Sequence, residues 1–289
     1  MATRVFSSLD ALKSKIAAKT SSTSESYSAD WKKFFPFWKA PDDTTSIVHF
    51  LPDRDDDADY DFLVENVYHQ ITINGRTEKV ACLSHLGEEC PFCKLSASYY
   101  DAEDEVNGKK YYKKRSYIGQ ILIIDTPIEW EMDGGGIVAL VDFGPAIFKQ
   151  IVAAINSGDL EMPPHAYKGG YNFRLKKTKN GQYSSYSTSS FAPKQTDLDD
   201  EVIDEVEKAL FRLRDFTAKV YSADEMRAML AAEQSGASYD TPKVAATVAA
   251  AAEASESQPV VKADEPVKAE ATMSALEKLK ARRAAKTKE

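Results

Sequence analysis

Through most of the chain, apolar and polar positions follow the short alternating runs of strands, and near residue 200 they change to a helical period. Ser46-Ile-Val-His-Phe-Leu-Pro52 reads as a first strand closed by proline. Val64 to Ile73 is a second extended run, and Asn74-Gly75 behind it is the pair that a two-residue hairpin turn requires. Gly119-Gln-Ile-Leu-Ile-Ile-Asp125 and Ile137-Val-Ala-Leu-Val-Asp-Phe143 are apolar strands, joined by a loop that contains Gly134-Gly-Gly136. Tyr171-Asn-Phe-Arg-Leu-Lys-Lys177 alternates strictly, with Tyr171, Phe173 and Leu175 on one side and Arg174 and Lys176 on the other. Asn180-Gly181 is expected to turn this run into a partner strand holding Tyr183 and Tyr186.

Pro145 predicts the start of a helix whose Phe148, Ile151, Val152 and Ile155 share one face, with Gly158 as its stop. From Asp199 to about Glu233 the pattern is helical again: Ile203, Val206, Leu210 and Leu213 mark an amphipathic face, and Ser222 with Glu225 forms a capping box for a second helix. The aromatic segment Trp31 to Trp38, with Phe34, Phe35 and Phe37, is interleaved with Lys32, Lys33 and Lys39. Core packing is favoured there over base stacking, because large aromatic rings anchor cores. The fold class is mainly β with flanking helices (α+β), and residues 29–235 form the folded core.

Both ends differ. Residues 1–28 are a polar arm in which Leu9, Leu12 and Ile16 stand at helical spacing, too short to be stable alone and expected to order on a partner. Residues 236–272, rich in Ala, Pro, Ser, Glu and Lys, are expected to be a disordered linker, and 273–289 a basic peptide. Phe6 to Thr20 and Met273 to Thr287 align without gaps, with Ser7, Leu9, Leu12, Lys13, Ala17, Ala18, Lys19 and Thr20 recurring at Ser274, Leu276, Leu279, Lys280, Ala284, Ala285, Lys286 and Thr287. Two tethered copies of one peptide suggest a common target; shared Ala/Lys/Leu composition is the alternative source of the likeness.

With 289 residues, 43% of them hydrophobic, the chain can bury one sizeable core with an attached module, or two small domains. No run approaches the ~18 apolar residues of a membrane span, and the first residues lack an apolar signal core, so a soluble intracellular protein is expected. The net charge of -8 argues against a nucleic-acid ligand only until its distribution is considered. Acid collects in Asp53 to Asp61, Asp101 to Glu105 and Asp197 to Glu201, whereas base collects in Lys109 to Arg115 and Lys168 to Lys179.

All three cysteines lie in one stretch, as Cys82-x7-Cys90-Pro-Phe-Cys93. Three thiolates and one imidazole make a closed structural zinc site, with Cys90-Pro-Phe-Cys93 as the tight knuckle. A site closed by four protein ligands has no position for a catalytic water, so it builds a fold and hydrolyses nothing. An odd number of cysteines in a reducing compartment also favours metal over disulfide. Three small buried residues are the plain alternative. Spacing alone leaves the fourth ligand open between His85, inside the loop, and His69, twelve residues before Cys82. The extended run ending at Asn74-Gly75 favours His69, because a hairpin would carry it back to the knuckle.

Tyr111-Tyr-Lys-Lys-Arg-Ser-Tyr117 interleaves rings with cations just before a strand. Single-stranded nucleic acid needs both, since cations track phosphates while ring faces stack on bases. The segment with Arg174, Lys176, Lys177, Lys179 and Tyr183 repeats the pairing. One such cluster is commonly a solvated face; two, each on a strand of an expected small β-barrel, point to a binding surface. Candidate phosphate contacts are Lys113, Lys114, Arg115, Arg174, Lys176 and Lys177, and candidate stacking rings are Tyr112, Tyr117, Tyr183 and Tyr186. Tyr183 and Tyr186 face opposite ways on a regular strand, so at least one of them is expected to be structural.

Phe50-Leu-Pro52, then His69-x12-Cys82-x7-Cys90-Pro-Phe-Cys93, Lys113-Lys-Arg-Ser-Tyr117 running into Ile121-Leu-Ile-Ile124, Phe143-Gly144 and Tyr183-Ser-Ser-Tyr186 resemble the helix-destabilising single-stranded-DNA-binding proteins of T-even-type bacteriophages, over about residues 30–215. The resemblance implies an OB-fold core with an inserted zinc subdomain at about 62–100, a DNA cleft between them, and one structural zinc on His69, Cys82, Cys90 and Cys93. It further implies a non-enzymatic protein that coats single-stranded DNA in phage replication, recombination and repair, in the cytoplasm of the infected host. Self-association through the N-terminal arm and contacts with phage replication and recombination proteins follow from it as well. At its end this chain departs from the family pattern, carrying Lys278, Lys280, Arg282, Arg283, Lys286 and Lys288 where the family has an acidic tail. An RNA-binding or transcription-associated zinc module is the second reading, distinguished by a preference for RNA. A zinc deaminase would need a His-x-Glu motif and an open coordination site, and the sequence offers neither.

Overall fold

The protein is described by a computed structural model over residues 31–130 and 135–239. The expected arm, the linker beyond Tyr239, the basic C-terminal peptide and Gly134 lie outside the described residues.

Seven strands form one antiparallel sheet: β1 (Thr45–Leu51), β2 (Leu63–Ile73), β3 (Arg76–Ala81), β4 (Lys114–Asp125), β5 (Val138–Phe143), β6 (Gly170–Lys176) and β9 (Ser190–Thr196). They run in the order β3-β2-β4-β1-β6-β9, with β5 also on β4. Strand β4 organises the sheet. One edge of it pairs with β2 over Lys114 to Gly119 and then with β1 over Gln120 to Asp125, while the other edge pairs with β5 over Tyr117 to Leu122. Strands on both edges and cover on both faces bury every residue from Ser116 to Ile123, which is why this segment is mostly apolar, with Ser116 and Gln120 as its polar exceptions.

The expected turn at Asn74-Gly75 is present. Both residues have positive φ, +51° and +73°, as a type I′ hairpin requires, and Ile73 pairs with Arg76 across it. In β6 the expected alternation holds, with Tyr171, Phe173 and Leu175 buried and Arg174 and Lys176 exposed. The partner of β6 is different from the one expected. Gly181 and Gln182, one residue on from the expected pair, turn a small separate hairpin, β7 (Thr178–Asn180) with β8 (Tyr183–Ser185), and β6 instead lies between β1 and β9. The reason is apolar cover: Tyr183-Ser-Ser-Tyr186 cannot shield Phe173, whereas β9 sets Phe191 edge-on against it at 4.9 Å.

The main core gathers Phe50, Phe62, Ile121, Val141, Phe143 and Phe173, covered by α3 (Pro145–Ser157). The buried stripe of α3 is Ile147, Ile151 and Ile155 at i, i+4 and i+8; Phe148 flanks it, and Val152 is less buried than the pattern suggests. Phe34, Phe35 and Phe37 are buried, as core packing requires, whereas Trp38 at the end of the aromatic segment is exposed. The helical period after Asp199 gives the two helices expected, but the first ends before Leu210 and Leu213, which the apolar face had included. Helix α4 (Asp200–Ala209) stops at Leu210, a 3-10 turn spans Leu213–Phe216, and α5 (Ala223–Ser235) begins only at the Ser222/Glu225 capping box. Tertiary hydrogen bonds win over local propensity here: the buried Gln120 amide bonds both N and O of Phe211, and the buried Asp53 carboxylate accepts from the Leu213 amide. The acidic run is therefore partly a clamp, with Arg212 on Asp57 and Arg214 on Asp59, both at 2.9 Å. Burial pushes the Asp53 carboxyl up to about 6.

The close approach of β6 to the chain before it requires glycine at 170. A Cβ there would lie 2.0 Å from the Ala166 carbonyl oxygen and 3.0 Å from the His49 ring. Gly170→Ala is expected to lower the free energy of unfolding by about 3 kcal/mol. Gly144→Ala, where a Cβ meets nothing within 4 Å, serves as the control and should cost about 1 kcal/mol or less. Urea denaturation of both variants checks this; equal midpoints would refute the steric account.

Candidate metal centre and nucleic-acid interface

A second, smaller core holds the four candidate metal ligands. Strand β2 contributes His69, the end of β3 leads into Cys82, and helix α1 (Pro91–Asp101) carries Cys90 at its N-cap and Cys93 in its first turn. Pro91 fits the first position of α1, where no amide hydrogen is needed, and so fixes the knuckle. Around the ligands pack Val67, Ile71, Val80, Phe92 and Tyr111, the last from α2 (Glu105–Tyr111). Helix α5 closes the cluster with Met226, Met229 and Leu230, a contribution from far along the chain.

The four ligand atoms all lie within 4.8 Å of one another. Cys82 Sγ is 3.6 Å from Cys93 Sγ, and His69 Nε2 is 3.3 Å from Cys90 Sγ and 3.6 Å from Cys93 Sγ. A tetrahedral zinc with ordinary bond lengths needs edges of about 3.8 Å between sulfurs and about 3.6 Å between sulfur and nitrogen. The donor set and its spacing therefore fit the ion. His69 Nδ1 donates to the Tyr111 carbonyl at 2.8 Å, which directs Nε2 at the thiols, and Phe92 stacks on the imidazole at 5.0 Å. Hydrogen bonds from the Cys82 and Cys93 thiols pull the Cys90 sulfur far below the usual thiol range, and the bond to Cys90 pushes the Cys82 thiol up. Burial disfavours a charged His69, but its hydrogen bonds to Cys90 and Cys93 outweigh this and raise it to about 9. A bound cation would take the place of these protons. His85 stands outside the group, with Nε2 3.7 Å from a Glu65 carboxylate oxygen. The choice left open by spacing is thus decided geometrically, by the hairpin that returns His69 to the knuckle.

The basic and aromatic candidates divide. Tyr112 is 53% exposed, and Lys113, Lys114 and Arg115 are exposed behind it as the chain enters β4. Lys114 hydrogen-bonds the Gln70 amide on β2, and Arg115 Nε pairs with Glu65 at 3.0 Å. Arg174, Lys176 and Lys179 are exposed, and Tyr183 is 79% exposed at the β7–β8 hairpin. Three candidates are placed otherwise. Tyr117 is buried, with its ring stacked on Phe148 at 3.6 Å, so no ring face is presented for a base; the strand's alternation is overridden because α3 covers that side of β4. Lys177 is held by the Trp38 and Ala40 carbonyls at 3.0 and 2.8 Å, an anchor for the aromatic segment. Tyr186 packs edge-on against Phe37 at 5.3 Å with a buried hydroxyl, and is the structural member of its pair.

The family described as gp32 DNA binding protein like matches residues 42–234, more than half of the chain. The chain belongs to that family. A search of curated proteins finds no match. The span shared with the gp32-like family takes in the metal cluster, the cations ahead of β4 and the β6–β8 segment. No helix among the described residues is long and apolar enough to cross a membrane.

Two exposed rings of this gp32-like protein escape sequence reasoning. Tyr100, on α1, meets Tyr112 edge-on at 6.4 Å and is 39% exposed, and Trp38 is 48% exposed beside Phe37. Tyr100 lies in a helix away from any basic run, and Trp38 sits in a segment whose three phenylalanines are core, so neither stood out. Glu65 was likewise silent in the sequence, because it is one acid among many.

Proposed function

We propose that this gp32-like protein binds single-stranded DNA without sequence specificity and coats it during phage replication, recombination and repair, in the cytoplasm of the infected host. One observation carries the reading: exposed Tyr112, Lys113, Lys114 and Arg115 run directly into the central strand of a DNA-binding family's core. In this reading the core is an OB-type barrel, with β4 shared between β1, β2 and β5, and the metal module stands at the Lys113 end of the same strand. Lys113, Lys114, Arg115, Arg174 and Lys176 neutralise phosphates and release counterions. Tyr112 and Tyr183 stack on bases, each contributing about 1 to 3 kcal/mol whatever the base. His69, Cys82, Cys90 and Cys93 hold one zinc, whose part is to fix the module and with it the approach of Tyr112 to β4. The protein performs no catalysis. Residues 1–28 mediate self-association along the strand, and phage replication and recombination proteins are its partners.

A fluorescence titration of the metal-loaded protein with oligo-dT, oligo-U and duplex DNA at two salt concentrations, with metal analysis alongside, tests the reading. Tight, salt-sensitive binding to oligo-dT, weak duplex binding and one zinc per chain are expected. Preference for oligo-U would transfer the site to RNA, and absence of binding would return the exposed cations to an ordinary solvated surface.

A further inference from the structure

Glu65 carries a buried carboxylate beside Arg115, one of the proposed DNA-contact residues. It stands on β2 directly opposite Tyr117 of β4, and its side chain is 7% exposed. One oxygen takes Arg115 Nε at 3.0 Å and the Tyr117 hydroxyl at 3.4 Å. The other faces His85 Nε2 at 3.7 Å, on the turn between Cys82 and Cys90. The backbone amide of Glu65 is itself fixed by Asp59 at 2.8 Å, and Asp59 by Arg214 at 2.9 Å. The loop between Cys82 and Cys90 and the start of β4 therefore meet on this one carboxylate.

A guanidinium can present two N–H groups along one edge to a phosphate, and it has more than one such edge. Arg115 Nε is ion-paired with Glu65, the guanidinium also meets the Tyr117 hydroxyl, and the Arg115 side chain is 49% exposed, so its outer part is open to a phosphate. We infer that Glu65 is a positioning residue for DNA binding: its ion pair holds Arg115 so that the exposed part of the guanidinium meets the phosphate. The inference rests on the single-stranded-DNA reading above. It has an opposite that physics also allows, since a carboxylate beside a phosphate site could simply repel DNA.

Salt dependence separates the two. Removing one phosphate-binding cation from a single-strand complex flattens the slope of log K against log salt by about 0.7. Glu65→Gln keeps the shape of the side chain and touches no phosphate itself. In the full-length, metal-loaded protein Glu65→Gln should weaken oligo-dT binding and flatten the slope by about 0.7, the same as Arg115→Gln, and the double variant should flatten it no further than either alone. A purely structural role would shift the melting temperature and leave the slope as it is. Arg115→Lys provides a second variant should Glu65→Gln fail to fold: lysine cannot hold the carboxylate and present a second edge, so its slope should also flatten. Tighter binding by Glu65→Gln, an unchanged slope in that variant, or wild-type behaviour of Arg115→Lys would each overturn the inference. Failure of the wild-type protein to bind oligo-dT would instead overturn the reading beneath it.

Discussion

Chelation of the metal, or replacement of Cys90 by serine, is expected to unfold the module built on β2, β3, α1 and α5 and to abolish tight binding to oligo-dT. Cys82, Cys90 and His69 are almost wholly buried, and their ligand atoms converge within 4.8 Å. Without a cation, three thiols and the Nε2 side of an imidazole must share that space. A structural zinc in a small module supplies about 10 to 16 kcal/mol of apparent binding free energy, which is folding free energy where no other site is preformed. The module here has a modest apolar core of its own, so part of the structure should survive; a loss of at least about 4 kcal/mol is expected. Because Tyr111 offers its carbonyl to His69 and stands next to Tyr112, the loss should reach the proposed DNA-contact segment as well. Circular dichroism melts with metal analysis provide the check. Cys90→Ser protein that retains one equivalent of zinc and the wild-type melting temperature would refute the site. His85→Ala should keep its metal, since that ring faces Glu65, outside the ligand group.

Replacing Lys113, Lys114, Arg174 and Lys176 together by alanine should leave the fold intact and flatten the salt dependence of oligo-dT binding by about 3. All four are exposed, and their loss removes charge without opening a core. At low salt the affinity should fall by about two to three orders of magnitude, with less effect as salt rises. Lys177→Ala offers the contrast. Its ammonium is buried against the Trp38 and Ala40 carbonyls, so its loss should lower the melting temperature while the salt slope stays put. Fluorescence titrations over a salt series, with thermal melts of each variant, measure both quantities. If the quadruple variant keeps its slope, phosphate does not bind at these residues.

The clearest sequence signals were those whose physics is local. The Asn74-Gly75 turn needs two positive φ values, and the residue pair declares that need. The Ser222/Glu225 capping box is complete within four residues. The alternation of Tyr171 to Lys176 places each side chain by covalent geometry alone. The metal cluster was nearly as legible, because soft ligands this close in the chain have one common use, although the choice between His69 and His85 depended on where a hairpin carries one of them. What tertiary structure alone decided is pairing over distance and the occupation of faces. Strand β6 took β9 in place of the neighbouring serine-rich strand because Phe191 offered more apolar cover. The helix after Asp199 ended at Leu210 because Gln120 and Asp53 satisfied the backbone beyond it from across the sheet. Tyr112 and Tyr117 belong to the same motif, yet one is exposed and the other lies under Phe148; that difference is set by α3, whose position over β4 no feature of the motif encodes.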